Sequence, residues 1–127
     1  MSQKIVLAAL ILGALAIVLG AFGAHGLKRF LTLEQLNSFE TGVRYQMYHA
    51  LFLLFVAQTN YVTDKQKIII FLLTLFGILL FSGSIYLLNT SSITNIKAKF
   101  LGPITPIGGL LLICSWIYLF YCIITKK

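Results

Sequence analysis

Four apolar runs, separated by short polar breaks, set the pattern of the chain. They cover Ile5–Ala24, Met47–Ala57, Ile68–Leu88 and Ile107–Ile124, and mixed residues extend the second back to Thr41. A helix that spans a bilayer needs about 20 apolar residues. The first and third runs meet that length and the fourth comes close. The second is short and carries Arg44 and His49, so its start is either buried in protein or near the headgroups. The pattern predicts an all-α integral membrane four-helix bundle, with spans near residues 5–25, 41–59, 68–88 and 106–124 of one domain covering 1–127. Three spans plus a re-entrant segment is the competing arrangement.

The breaks are also informative. In LKRFLTLEQLNSFETG, Thr32 precedes Gln35 by three residues, which is the spacing of a capping box. Leu33, Leu36 and Phe39 follow at helical intervals with Glu34, Asn37 and Glu40 between them. This predicts a short amphipathic helix over 32–40, lying in the interface and leading into the second span. The polar YVTDKQK makes spans two and three an antiparallel hairpin. The longer LNTSSITNIKAKFLGPITPIGG is expected to be irregular or interfacial, with Gly102-Pro103 as an entry turn and Thr105-Pro106 as N-cap and first residue of span four.

Small residues recur at helical spacing in span one: Ala9 and Gly13, then Ala16, Gly20, Gly23 and Ala24. Such residues let helix backbones approach closely where lipid supplies no hydrophobic drive. Gly83 and Gly108 are expected to serve the same purpose in spans three and four. The first run exceeds the roughly 7–15 apolar residues of a signal peptide, so it reads as a retained helix.

Composition agrees with the bilayer as solvent. Of the 127 residues, 59% are apolar and 10% charged, and mean hydropathy is +0.95. A soluble domain carries about 25% charged residues. The net charge of +7 comes from lysines and arginines at span ends, the pattern of anchors to anionic headgroups. No basic stripe with interleaved aromatics stands clear of the membrane, so nucleic acid is not an expected partner. Membrane lipids are, together with another membrane protein or a second copy of the chain. With four spans, Lys4, Lys65, Lys67, Lys126 and Lys127 share one side, and Lys28, Arg29, Arg44, Lys97 and Lys99 the other. Discounting the partly embedded Arg44 turns this tie toward cytoplasmic termini in an inner membrane. Cys114 and Cys122 lie on one helix and cannot bridge each other; they read as packing residues.

Topology gathers the polar breaks. The ends of spans one and three and the starts of spans two and four all fall on the side opposite the termini. The candidate ligand or partner site there comprises His25, Arg44, Tyr45, Tyr48, His49, Ser82 and Tyr86. Ionisable groups at membrane depth point to function by default. Each also has a structural reading: Arg44 snorkelling with Glu40 as partner, the tyrosines as an interfacial belt, His25 capping its helix, His49 hydrogen-bonded in the core. Two histidines without a carboxylate or cysteine at the same depth make a thin metal set. A bis-histidine haem would need both at one depth, whereas His25 sits at the edge. No metal, cofactor or nucleophile–base–acid constellation is expected, and hence no enzyme.

Taken together, GAFGAHGLK, FETGVRYQMYHAL, FSGSIYLL and GPITPIGGLLLI resemble, in order and spacing, a family of small bacterial membrane proteins of the YgdD type, whose function is not established. The resemblance covers nearly the whole chain. It implies a four-helix protein of the bacterial inner membrane, with Gly23, His25, Gly26, Tyr45, His49, Ser82, Gly83, Pro103, Pro106 and Gly108 at its characteristic positions. It implies no reaction. The expected role is that of a non-enzymatic protein supporting membrane integrity or a membrane assembly through the polar cluster. The alternative is a small transporter or channel subunit with Arg44 and His49 lining a polar path.

Overall fold

The computed structural model describes residues 2–91 and 99–126. They form four helices: α1 (Ser2–His25), α2 (Leu33–Gln58), α3 (Asp64–Asn89) and α4 (Ile104–Ile124), with a 3-10 turn at Lys99–Leu101 before α4. No strand occurs among the described residues. At about 1.5 Å per residue each helix is roughly 30–40 Å long, the thickness of a bilayer core or more. By length and composition α1, α3 and α4 can each cross a membrane. α2 is as long, with 26 residues, but Arg44, Gln46 and His49 make it less apolar.

Packing explains how a polar helix is housed. α2 lies antiparallel between α1 and α3, and α4 lies antiparallel against α3. One apolar core, near the chain termini, joins Ile5 and Ala9 of α1, Leu53 and Val56 of α2, Ile70 of α3 and Cys122 of α4. A smaller core at the other end joins Leu27, Leu31 and Phe39. The large apolar side chains of α1 and α4 that face outward, such as Ile11, Ile17, Ile117 and Phe120, are more than half exposed, as expected where lipid is the solvent.

The amphipathic stretch 32–40 is not a separate interfacial element. It forms the first turns of α2, which runs unbroken from Leu33. The capping box is present: Thr32 Oγ1 accepts from the Gln35 amide at 3.1 Å, and Gln35 Oε1 accepts from the Thr32 amide at 2.9 Å. Thr63 and Gln66 repeat it at the start of α3. Helix α4 begins at Ile104, earlier than expected, with Pro103 as N-cap and no side-chain cap. Thr105 lies inside the first turn, where its hydroxyl shares a 2.5 Å hydrogen bond with Ser84 of α3. Pro106 is therefore the third helical residue rather than the first. Residues 92–98 of the expected loop ahead of it lie outside the described residues.

Small residues set the helix crossings. A Cβ at Gly20 would lie 3.4 Å from Val43, and one at Gly23 would lie 3.1 Å from the Phe39 ring. Ala9 and Ala16 are buried, and Gly13 faces Ala50. Ala24 is exposed and stands off this stripe. The tightest approach is at Gly108, where a Cβ would sit 2.3 Å from the Phe81 amide nitrogen. Gly42 and Gly77, which the sequence pattern did not single out, are crowded by Tyr86 and Leu112. Gly83, expected to pack, meets nothing within 4 Å. Gly83→Ala should therefore stabilise the protein by about 0.5–1 kcal/mol, the helix-interior penalty of glycine. A raised thermal midpoint in detergent would check this; a drop would mean that the position is crowded after all.

The end near the termini is less plain than its sequence. Lys67 is buried there, and its ammonium donates to the Ala57 carbonyl at 2.8 Å and the Ser2 hydroxyl at 3.1 Å. Ala57 belongs to the last turn of α2, whose carbonyls lack helical partners and attract a cation. Lys126 donates similarly to the Asn60 carbonyl.

Candidate functional site

The polar residues gathered by topology divide into separate groups. His25 is exposed at the end of α1, with no side-chain hydrogen bond among the described residues. Arg44 is exposed on α2. Its guanidinium donates to Thr41 at 3.2 Å and lies 3.8 Å from the Glu40 carboxylate. Tyr45 and Tyr48 are also exposed, with ring centroids 5.7 Å apart. None of these four joins Ser82 or Tyr86. Arg44 and His49 do not come together within this chain, because Arg44 turns toward the start of α2.

Ser82 and Tyr86 belong to an interhelical lock. Ser82 Oγ donates to the Gly42 carbonyl at 2.7 Å. The Tyr86 hydroxyl donates to Gln46 Oε1 at 2.7 Å, and Gln46 Nε2 donates to the Leu12 carbonyl at 2.8 Å. Since a carbonyl can only accept, the Leu12 contact fixes the orientation of the amide. Gln46 thus ties α1, α2 and α3 at one point while itself buried. Phe39 packs at a tilt against Tyr86 with centroids 5.0 Å apart, above Gly23 of α1. Nearer the boundary, Asn89 donates to Ser38 at 2.9 Å. Each buried polar group at this level has a partner, which low dielectric demands.

His49 belongs elsewhere. Among the described residues the α4 backbone packs closely only against α3 and the 3-10 turn. A gap therefore remains between the α2 and α4 backbones, and Trp116 reaches across it to His49 and Phe52. Trp116 Nε1 donates to His49 Nε2 at 2.9 Å, while His49 Nδ1 lies 2.7 Å from the Tyr45 carbonyl. Indole can only donate and the carbonyl can only accept, so the imidazole is neutral with its proton on Nδ1. Neither nitrogen retains a lone pair for a metal in this arrangement. Trp116 lies 12 residues into α4, roughly 18 Å from its start and so near mid-bilayer. Its ring meets His49 edge-on and stacks on Phe52 at 4.3 Å.

Above this bridge the gap is a groove of about 430 Å³, lined by Tyr45, His49, Phe81, Gly109, Ile113 and Trp116 among others. Its walls are almost wholly apolar. Ile113 and Trp116 are half or more exposed, so the groove opens toward lipid. Sequence reasoning found His49 from its depth but missed Gln46 and Trp116. Gln46 shares a helical stripe with Gly42 and Ala50, and Trp116 is the sole tryptophan, set mid-span rather than in an interfacial belt. Both signals were available. Because Trp116 is unique, its emission reports on this contact: His49→Leu should shift it to shorter wavelength as the indole loses its acceptor. An unchanged spectrum would mean that the bond does not form.

Residues 19–109 match the family described as "Protein of unknown function (DUF423)". That is well over half of the chain. The chain belongs to the DUF423 family. It is 45% identical over 117 residues to the UPF0382 membrane protein YwdK of Bacillus subtilis, covering 85% of this chain and 89% of that one. It is 42% identical over 114 residues to a UPF0382 membrane protein of Staphylococcus saprophyticus, with 87% and 91% covered. A Haemophilus influenzae UPF0382 membrane protein is 40% identical over 109 residues, with 86% and 84% covered. No solved structure matches. The DUF423 segment contains Gln46, His49, Ser82, Tyr86 and Gly108, and Trp116 lies beyond it. Kinship thus agrees with a small membrane bundle and carries no activity with it.

Proposed function

We propose that this DUF423 protein is a non-enzymatic component of the bacterial inner membrane, with cytoplasmic termini. It supports the bilayer or a membrane assembly by holding an apolar partner in the α2–α4 groove. One observation carries the reading: the bundle's buried polar side chains at the site are spent on one another and on backbone carbonyls, while the groove beside them stays open. Gln46 uses both ends of its amide and His49 both nitrogens. Such groups fix helix positions and leave no reactive set. A transporter would need a continuous polar path, whereas Arg44 pairs with Glu40 and Thr41 on the exposed surface of α2 and the groove walls are apolar. The polar cluster acts through the geometry that it imposes on the groove.

Complementation tests this. A strain lacking the gene, scored for dye leakage across its inner membrane, should be restored by the wild-type protein. It should not be restored by Ile113→Phe, which fills the groove from a lipid-exposed position without touching the interhelical lock. Full restoration by a folded Ile113→Phe protein would defeat the reading.

A further inference from the structure

The groove's width and its surroundings indicate what it holds. We propose that it is a binding site for an anionic glycerophospholipid, with one acyl chain between α2 and α4 and the phosphate at Arg44. This rests on the groove being the functional surface and names its occupant.

Width argues first. A partner helix is about 10 Å across with its side chains. The space between α2 and α4 is closed by Trp116, hydrogen-bonded to His49 at 2.9 Å and stacked on Phe52. A helix could enter only by expelling that side chain. A methylene chain needs no such opening. Along α4 the groove runs from Gly109 to Ile117, eight residues or roughly 12 Å, which accommodates part of one acyl chain. The almost purely apolar walls exclude a free phosphate or another small anion as occupant.

The headgroup end is marked by position and charge. Tyr45 is on the groove wall at its boundary end, and Arg44 precedes it on α2. The guanidinium has five N–H donors and is half exposed. It uses Thr41 at 3.2 Å and a loose 3.8 Å pairing with Glu40. Exposed pairs of that kind contribute little, so a phosphate can compete for the remaining donors. The Tyr45 hydroxyl is exposed and has no hydrogen bond among the described residues, so it can donate to a lipid ester or phosphate oxygen. Lys28, Arg29, Arg44 and Lys99 outnumber Glu34 and Glu40 on this side, which favours a headgroup whose phosphate charge is not internally balanced.

Trp116 provides the readout. The full-length protein would be reconstituted in phosphatidylcholine vesicles with a minor fraction of phosphatidylglycerol brominated on its acyl chains. Bromine in the groove quenches the lone indole. Brominated phosphatidylglycerol should quench about twofold more than the same fraction of brominated phosphatidylcholine, a preference that one exposed ion pair supports. Arg44→Gln should remove the preference while leaving basal quenching. Ile113→Phe, its helix content checked by circular dichroism, should reduce quenching by both lipids. Equal quenching by the two lipids in the wild type overturns the proposal, as does a preference surviving Arg44→Gln or Ile113→Phe. If the lipid preference fails and Ile113→Phe still fails to complement, the occupant is wrong and the groove stands. If Ile113→Phe complements as well, both fall.

Discussion

Gly108→Ala is expected to disrupt assembly of α4 on α3. The added methyl would lie 2.3 Å from the Phe81 amide nitrogen and 2.6 Å from the Leu80 carbonyl carbon. Those are backbone atoms in mid-helix, so no rotamer change relieves the contact and the helices must separate. Overpacking typically costs about 1–3 kcal/mol and occasionally more; a rigid backbone obstacle places this case at about 3 kcal/mol or above. Separation would also disturb the Ser84–Thr105 hydrogen bond and the His49–Trp116 bridge. A fall in thermal midpoint, together with a change in Trp116 emission, would verify it. A protein as stable as wild type would show that the helices cross elsewhere. By contrast, Gly77 is crowded mainly by the flexible Leu112 side chain, at 2.6 Å. Gly77→Ala should therefore cost less.

Gln46→Leu is expected to destabilise the bundle by about 1–3 kcal/mol, the penalty for leaving a buried hydrogen-bonding group unmatched. The volume is nearly conserved, so cavity formation contributes little. The Tyr86 hydroxyl loses its acceptor at a depth where no water replaces it, and α1 loses the contact at Leu12. Tyr86→Phe alone should also destabilise, since it leaves the buried Gln46 Oε1 without its donor. The double variant Gln46→Leu/Tyr86→Phe should be more stable than the sum of the two changes implies. Unfolding in graded denaturing detergent measures all three. Strict additivity would mean that the two side chains do not interact.

Helix number was readable because polar breaks separate four apolar runs, although among the described residues only α1, α3 and α4 are long and apolar enough to span a bilayer. Helix limits were less so. The amphipathic segment after Thr32 joins α2 because nothing between Glu40 and Arg44 breaks a helix; Gly42 serves to admit Tyr86. The start of α4 was displaced because the Thr105 hydroxyl bonds across to Ser84 instead of capping its own helix. At the site, sequence spacing grouped residues that the helix separates. Arg44 and His49 are roughly 140° apart at 100° per residue, so one faces outward and the other inward. Depth alone identified His49. Its partner lies 67 residues away, and only packing through α3 brings the two together.

The isolation of α4 has a consequence for biogenesis. The Gln46 lock is built wholly from α1, α2 and α3, so a three-helix core can form in the membrane without α4. The last segment then docks laterally against one existing helix, its register read by a glycine notch and its outer edge latched by an indole. Until that latch closes, the imidazole of His49 faces the hydrocarbon unmatched, which drives completion of the assembly.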